Sequence, residues 1–153
     1  MNVYAVLLFL HIASAVVWVG GMFFATVCLR PAAAELLEPA LRLRLWGGVF
    51  ARFFACLWWV VGLIAGSGLI LFTQRGFSAA PLGWHLMLTS GLVMIAIFIY
   101  VATGPYAALR RAVADENWPA GATALNRIRQ MVHANLYLGL LTIAFATLGR
   151  IIA

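Results

Sequence analysis

The chain has 153 residues, 65% hydrophobic and 9% charged, with a mean hydropathy of +1.03. That balance excludes an ordinary soluble domain and points to membrane spans. The formal charge of +6 comes from ten arginines, with no lysine, against four carboxylates. The arginines flank apolar runs instead of forming a stripe, so nucleic acid is not expected as a partner and anionic lipid headgroups account for the charge.

Four apolar runs of about 20 residues follow one another: 3–29, 53–72, 82–103 and 131–148. At 1.5 Å per residue each reaches roughly 27 Å or more, about the hydrocarbon thickness of a bilayer. Together they predict an all-α, single-domain, integral membrane four-helix bundle over residues 1–153. The first run lacks a basic leading segment and is longer than a signal-peptide core, so it is read as a retained span. Arg30, Arg42, Arg44 and Arg52 flank one connection; Arg110, Arg111, Arg127 and Arg129 flank another; only Arg75 and Arg150 fall at the opposite side. The positive-inside rule then places both arginine-rich connections in the cytoplasm and both termini outside, in a multi-pass protein of a membrane that bounds the cytoplasm.

The first run carries His11 and Trp18, seven residues apart and so on one helix face, with Ser14 and Ala15 between them. An imidazole inside hydrocarbon is costly to desolvate and marks a site. Pro31 is expected to end this helix. Ala34 to Leu45 reads as a short interfacial helix interrupted near Pro39, and Gly47–Gly48 as the turn into the second span. The second span contains Gly62 and Gly66, a GxxxG that serves close helix packing or leaves room for a flat cofactor. Gln74 to Pro81 forms a short loop. Trp84 and His85 open the third span, which Gly104–Pro105 kinks near its far end. Asn117 to Gly121 reads as a turn, with the fourth helix starting near Thr123. Cys28 and Cys56 lie at similar depths near cytoplasmic helix ends; reduced thiols there disfavour a disulfide and leave metal ligation or simple packing.

Depth estimates separate the three histidines. His11 lies about 12 Å and His85 about 5 Å from the outer ends of their helices, and His133 roughly 20 Å from the outer end of its own. His11 and His85 therefore share the outer half of the bilayer and could ligate a haem held edge-on, with His133 in reserve. Ser14 and Thr89, at i+3 and i+4 from those histidines, are the candidate hydrogen-bond partners of the imidazoles. Trp18 and Gly21 would form the pocket wall. Copper is the alternative, with Met22, eleven residues after His11 on the same face, as a soft ligand; Met87 and Met94 share a face of the third helix roughly opposite His85. No carboxylate lies within a span, and phosphate loops, dinucleotide fingerprints, zinc spacings and nucleophile elbows are absent from the sequence. Two roles follow: electron transfer or a haem-dependent redox step, with a redox protein or a quinone as partner, or copper homeostasis. A cofactor-free assembly factor is the third. Pairing of copies through glycine faces fits a homo-oligomer.

The stretch Leu10 to Phe24 (LHIASAVVWVGGMFF) is similar to the first helix of CopD-like bacterial membrane proteins. Arg30–Pro31, the RLRLW stretch, PLGWHLM in the third helix and the residues from Leu125 to Ala144 are similar too. That resemblance implies copper resistance or uptake. The H-x6-W-x-G-G pattern also resembles the HemJ-type protoporphyrinogen oxidases, whose first-helix histidine is implicated in haem b ligation; the likeness carries that role to His11. A third-helix lysine is important in that group, and a chain without lysine departs from it, which argues against oxidase activity.

Overall fold

A computed structural model describes residues 2–148. Arg150, counted above with the outer face, lies outside the described residues. Every regular element among the described residues is helical. Four long helical rods are long and apolar enough to cross a membrane: Val3–Leu36, Pro39–Arg75, Leu82–Ala114 and Trp118–Leu148. The chain is thus a multi-pass membrane protein built as a four-helix bundle.

The first rod is α1 (Val3–Phe23), a π turn (Phe24–Leu29) and α2 (Arg30–Leu36). Asn2 caps α1 by accepting from the Tyr4 amide at 3.2 Å. Pro31 does not end this rod, contrary to expectation. A proline ring clashes with the carbonyl four residues back and donates nothing to it. The wider π turn just before Pro31 takes up that mismatch, and the helix runs on to Leu36. The expected interfacial helix over 34–45 is absent as a separate element. Its first residues finish α2, the chain breaks at Leu37–Glu38, and Pro39 opens α3 (Pro39–Arg75) from the favoured first position. Helix α3 then passes through Gly47–Gly48 without turning. At 37 residues it is about 55 Å long, well beyond a hydrocarbon layer of about 30 Å.

Gly76, at φ +84°, ends α3, and a single 3-10 turn (Phe77–Ala79) leads to α4 (Leu82–Thr103). The break at Gly104–Pro105 is the expected kink, and α5 (Pro105–Ala114) continues beyond it. Helix α6 (Trp118–Leu148) starts five residues before Thr123, because Asn117 caps it by accepting from the Ala120 amide at 3.1 Å and Pro119 fits the first turn.

Helix α1 packs along α3 and α4 along α6, with α5 against the start of α6. Trp46, Phe50 and Phe54 stack along α3 at centroid spacings of 5.1 and 5.3 Å and meet Phe98 and Tyr106 edge-on. This aromatic spine fills the half of the bundle nearer the Leu37 and Asp115 connections, which we call the arginine-rich end. Arg44 Nη2 and Glu116 Oε1, 2.9 Å apart, tie α3 to the α5–α6 connection there. Cys28 and Cys56 are free and exposed, so neither packs as a buried hydrophobe.

Candidate functional site

Toward the opposite end, which carries Val3 and Leu148, the two helix pairs do not close on each other. A cavity of about 230 Å³ lies between them, walled by α1, α3, α4 and α6. Its lining is apolar apart from His11 and Thr142, with the thioethers of Met87 and Met94 and the flank of Trp18 among the remainder.

His11 is oriented by α3. Its Nδ1 lies 3.0 Å from the Ile64 carbonyl and 3.3 Å from Ser67 Oγ. A carbonyl only accepts, so Nδ1 carries the proton. Ser67 is consistent with this: its hydroxyl donates to the Leu63 carbonyl at 2.5 Å, which leaves its oxygen to accept from His11. The imidazole is therefore held as the Nδ1–H tautomer, with the Nε2 lone pair unpartnered among the described residues. That is the arrangement in which a metal-binding histidine is oriented by an acceptor on its second nitrogen. The ring fits only because residue 68 is glycine: a Cβ there would stand 2.7 Å from His11 Cε1.

Trp18 is 3% exposed; it lines the cavity and meets Phe98 edge-on at 6.2 Å. Gly21 does not form a pocket wall. It sits against the Phe53 ring, where a Cβ would come within 2.5 Å, so its place is in the α1–α3 contact. Ser14 is buried within α1 but makes no hydrogen bond with His11, whose acceptors come from α3 instead. Gly62 and Gly66 face open space, so the close approach belongs to Gly68, two residues on.

His85 is not among the residues lining the cavity. Its Nε2 lies 3.1 Å from the Phe77 carbonyl and its ring packs edge-on against Phe72 at 5.2 Å. Thr89 does not reach that imidazole; its hydroxyl donates to the His85 carbonyl at 2.9 Å, the usual bond of a helical threonine to its own helix. His133 lies at the arginine-rich end: its Nδ1–H donates to the Arg129 carbonyl at 2.8 Å and its Nε2 accepts from Arg30 at 3.4 Å. Met22 is 2% exposed and borders a smaller space of about 20 Å³ beneath Trp18, with Met131 and Asn135. All four methionines after Met1 therefore line one or the other of these two spaces.

Sequence reasoning missed Ile64, Ser67, Gly68 and Thr142. Thr142 Oγ1 lies 2.7 Å from Ser90 Oγ and 3.7 Å from Met94 Sδ, joining α6 to α4 on the cavity wall. Met87 and Met94 were legible as one face of their helix turned away from His85, and that face is the one that meets the cavity. Among the described residues no group of three or more histidine, cysteine, aspartate or glutamate side chains is positioned for a metal ion. Any metal held here relies on the imidazole and sulfur.

No curated protein and no solved structure matches the chain. A family model described as copper resistance protein D matches residues 47–148. The match takes in α4, α5, α6 and most of α3 and leaves out the first rod, where the resemblance read from Leu10 to Phe24 resides. No comparison points to the HemJ-type oxidases or to haem. With well over half of its length matched, the chain belongs to the copper resistance protein D (CopD) family.

Proposed function

We propose that this protein handles monovalent copper in the membrane, taking the ion as cargo into the cavity between its helix pairs. His11 Nε2 supplies the nitrogen ligand, and Met87 and Met94 supply soft thioethers, the donor combination that favours Cu(I). The observation that carries this reading is the fixed tautomer of His11: its proton is committed to α3 and its free lone pair belongs to a residue lining a space that also holds two methionines. The family match supports the copper assignment. Because the cavity lies at the end carrying the termini, the positive-inside reading of the sequence has it fill from the outer face of the inner membrane.

Haem b, the other sequence expectation, would find one imidazole here and not two, since His85 lies away from the cavity lining. It would have to accept histidine–thioether ligation. The decisive experiment is Cu(I) titration of the detergent-purified protein against a competing chelator, with an absorption spectrum of the same sample. The expected result is stoichiometric Cu(I) binding that weakens at least tenfold in His11→Ala and in a Met87→Leu/Met94→Leu double variant, both with unchanged helical circular dichroism. A Soret band with iron and porphyrin, or Cu(I) affinity indifferent to both variants, overturns the reading.

A further inference from the structure

The arginine-rich end contains a second concavity, separate from the cavity. A narrow cleft of about 20 Å³ opens between the first rod, α3 and α6, and Thr26, Arg30, Trp46, Arg129 and His133 are among its lining residues. Its charge is unbalanced. Arg30 and Arg42 are the charged neighbours of Arg129, and among the described residues none of the three pairs with a carboxylate; the ion pair found there joins Arg44 to Glu116.

His133 does not neutralise the cluster. Its Nδ1–H is given to the Arg129 carbonyl, so the ring is a neutral acceptor for Arg30. Arg129 Nε is buried and has no hydrogen-bond partner among the described residues. An unpaired buried guanidinium nitrogen costs free energy until an acceptor reaches it. The cleft thus presents N–H and O–H donors and two positive charges. Its one side-chain acceptor nitrogen, His133 Nε2, is already engaged.

Two further features specify the ligand. The cleft borders the π turn, since Ala25 and Thr26 line it, and π turns gather at functional positions. Phe24 and Val27 on the same turn, and Phe23 just before it, are apolar and half or more exposed. A basic pocket beside an exposed apolar flank at a span end fits an amphiphile whose anionic group enters the arginines while its chains run along the helix. The volume admits about one oxygen-sized group, so a larger anion would cap the mouth and send a single oxygen toward Arg129 Nε.

We propose that Arg30 and Arg129, with Arg42 beside them and Thr26 as a further donor, bind the phosphate of an anionic phospholipid. Arginine suits this role through its planar fork of donors. The proposal does not depend on the copper reading, and its test involves no metal.

The full chain in detergent is titrated with phosphatidylglycerol, with phosphatidylcholine and with inorganic phosphate alone, and bound molecules are counted by native mass spectrometry. Phosphatidylglycerol is expected to be retained at least tenfold more tightly than phosphatidylcholine. Arg30→Gln and Arg129→Gln should each weaken it about tenfold, while Arg75→Gln and Arg110→Gln leave it unchanged. Arg129→Lys keeps the charge but not the Nε–H, and should fall between wild type and Arg129→Gln; this variant guards against loss through misfolding. Equal losses in Arg110→Gln and Arg129→Gln would mean a diffuse basic belt and overturn the proposal. Binding of inorganic phosphate with the same variant pattern, and without preference for the lipid, would assign the cleft to a free anion and overturn it as well.

Discussion

At the scale of single residues, the His11–Gly68 contact decides the site. The imidazole is held by the Ile64 carbonyl and Ser67, and it lies flat enough on α3 that a Cβ at position 68 would meet Cε1 at 2.7 Å. The ring has no room to retreat without leaving its acceptors. Gly68→Val is therefore expected to displace the imidazole and weaken Cu(I) binding by about 10- to 100-fold, the usual effect of losing the groups that orient a metal ligand. Gly66→Val, which adds its side chain to open space, is the control and should bind as wild type. Chelator competition on both variants measures the difference; equal affinities would remove Gly68 from the site. His11 itself was legible in the sequence because an imidazole in an apolar run is costly and stands out. Its acceptors were not, because they lie 53 and 56 residues away and depend on which helices pair. Ser14 and Thr89 were local guesses, and Thr89 shows why they fail: a helical hydroxyl finds its own backbone first.

At the scale of elements, glycine spacing proved a poor guide to helix contact and proline a poor guide to helix ends. The visible Gly62–Gly66 motif touches nothing, whereas Gly21 and Gly139, which belong to no such motif, are where helices close. A Cβ at Gly21 would meet the Phe53 ring at 2.5 Å, and one at Gly139 would meet Val19 at 2.9 Å and Met94 at 3.2 Å. Without a hydrophobic drive between lipid-solvated helices, such close approaches carry much of the association. Gly21→Ala is thus expected to destabilise by about 1–3 kcal/mol through overpacking against an aromatic ring. Gly62→Ala should be neutral or stabilising by about 0.5–1 kcal/mol, the helix gain of alanine over glycine. Unfolding of the detergent-solubilised variants, followed by circular dichroism, should place the two on opposite sides of wild type. Pro31 teaches the same lesson from the backbone. Its clash was readable, but a π turn immediately before it absorbs the mismatch, and no periodicity in residues 24–29 announces that turn. The four spans themselves were legible because run length and bilayer thickness leave few alternatives. The loop elements were not, because Pro39 and Pro119 start helices at positions that also suit turns.

At the scale of the whole molecule, the bundle is two tight pairs, α1 with α3 and α4 with α6, joined most firmly at the arginine-rich end and parted around the cavity at the other. The two ends differ in charge as they differ in packing. Eight arginines lie at or beyond one end, while Arg75 marks the short connection at the other, stacked over Trp84 with its guanidinium carbon 5.6 Å from the ring. Under the orientation proposed above from the positive-inside rule, this asymmetry becomes a direction: the cavity would face outward, toward the connection that carries Arg75 alone. The direction can be tested without any metal. In a Cys28→Ser/Cys56→Ser background, a cysteine introduced as Ser78→Cys lies in the connection between α3 and α4, where the native serine is exposed. One introduced as Glu116→Cys lies in the exposed turn between α5 and α6. A membrane-impermeant maleimide added to intact spheroplasts is expected to label the first and spare the second, with both labelled after lysis. The reverse pattern would place the cavity toward the cytoplasm. Copper would then reach His11 only from inside the cell, and the protein would have to act in export instead of uptake.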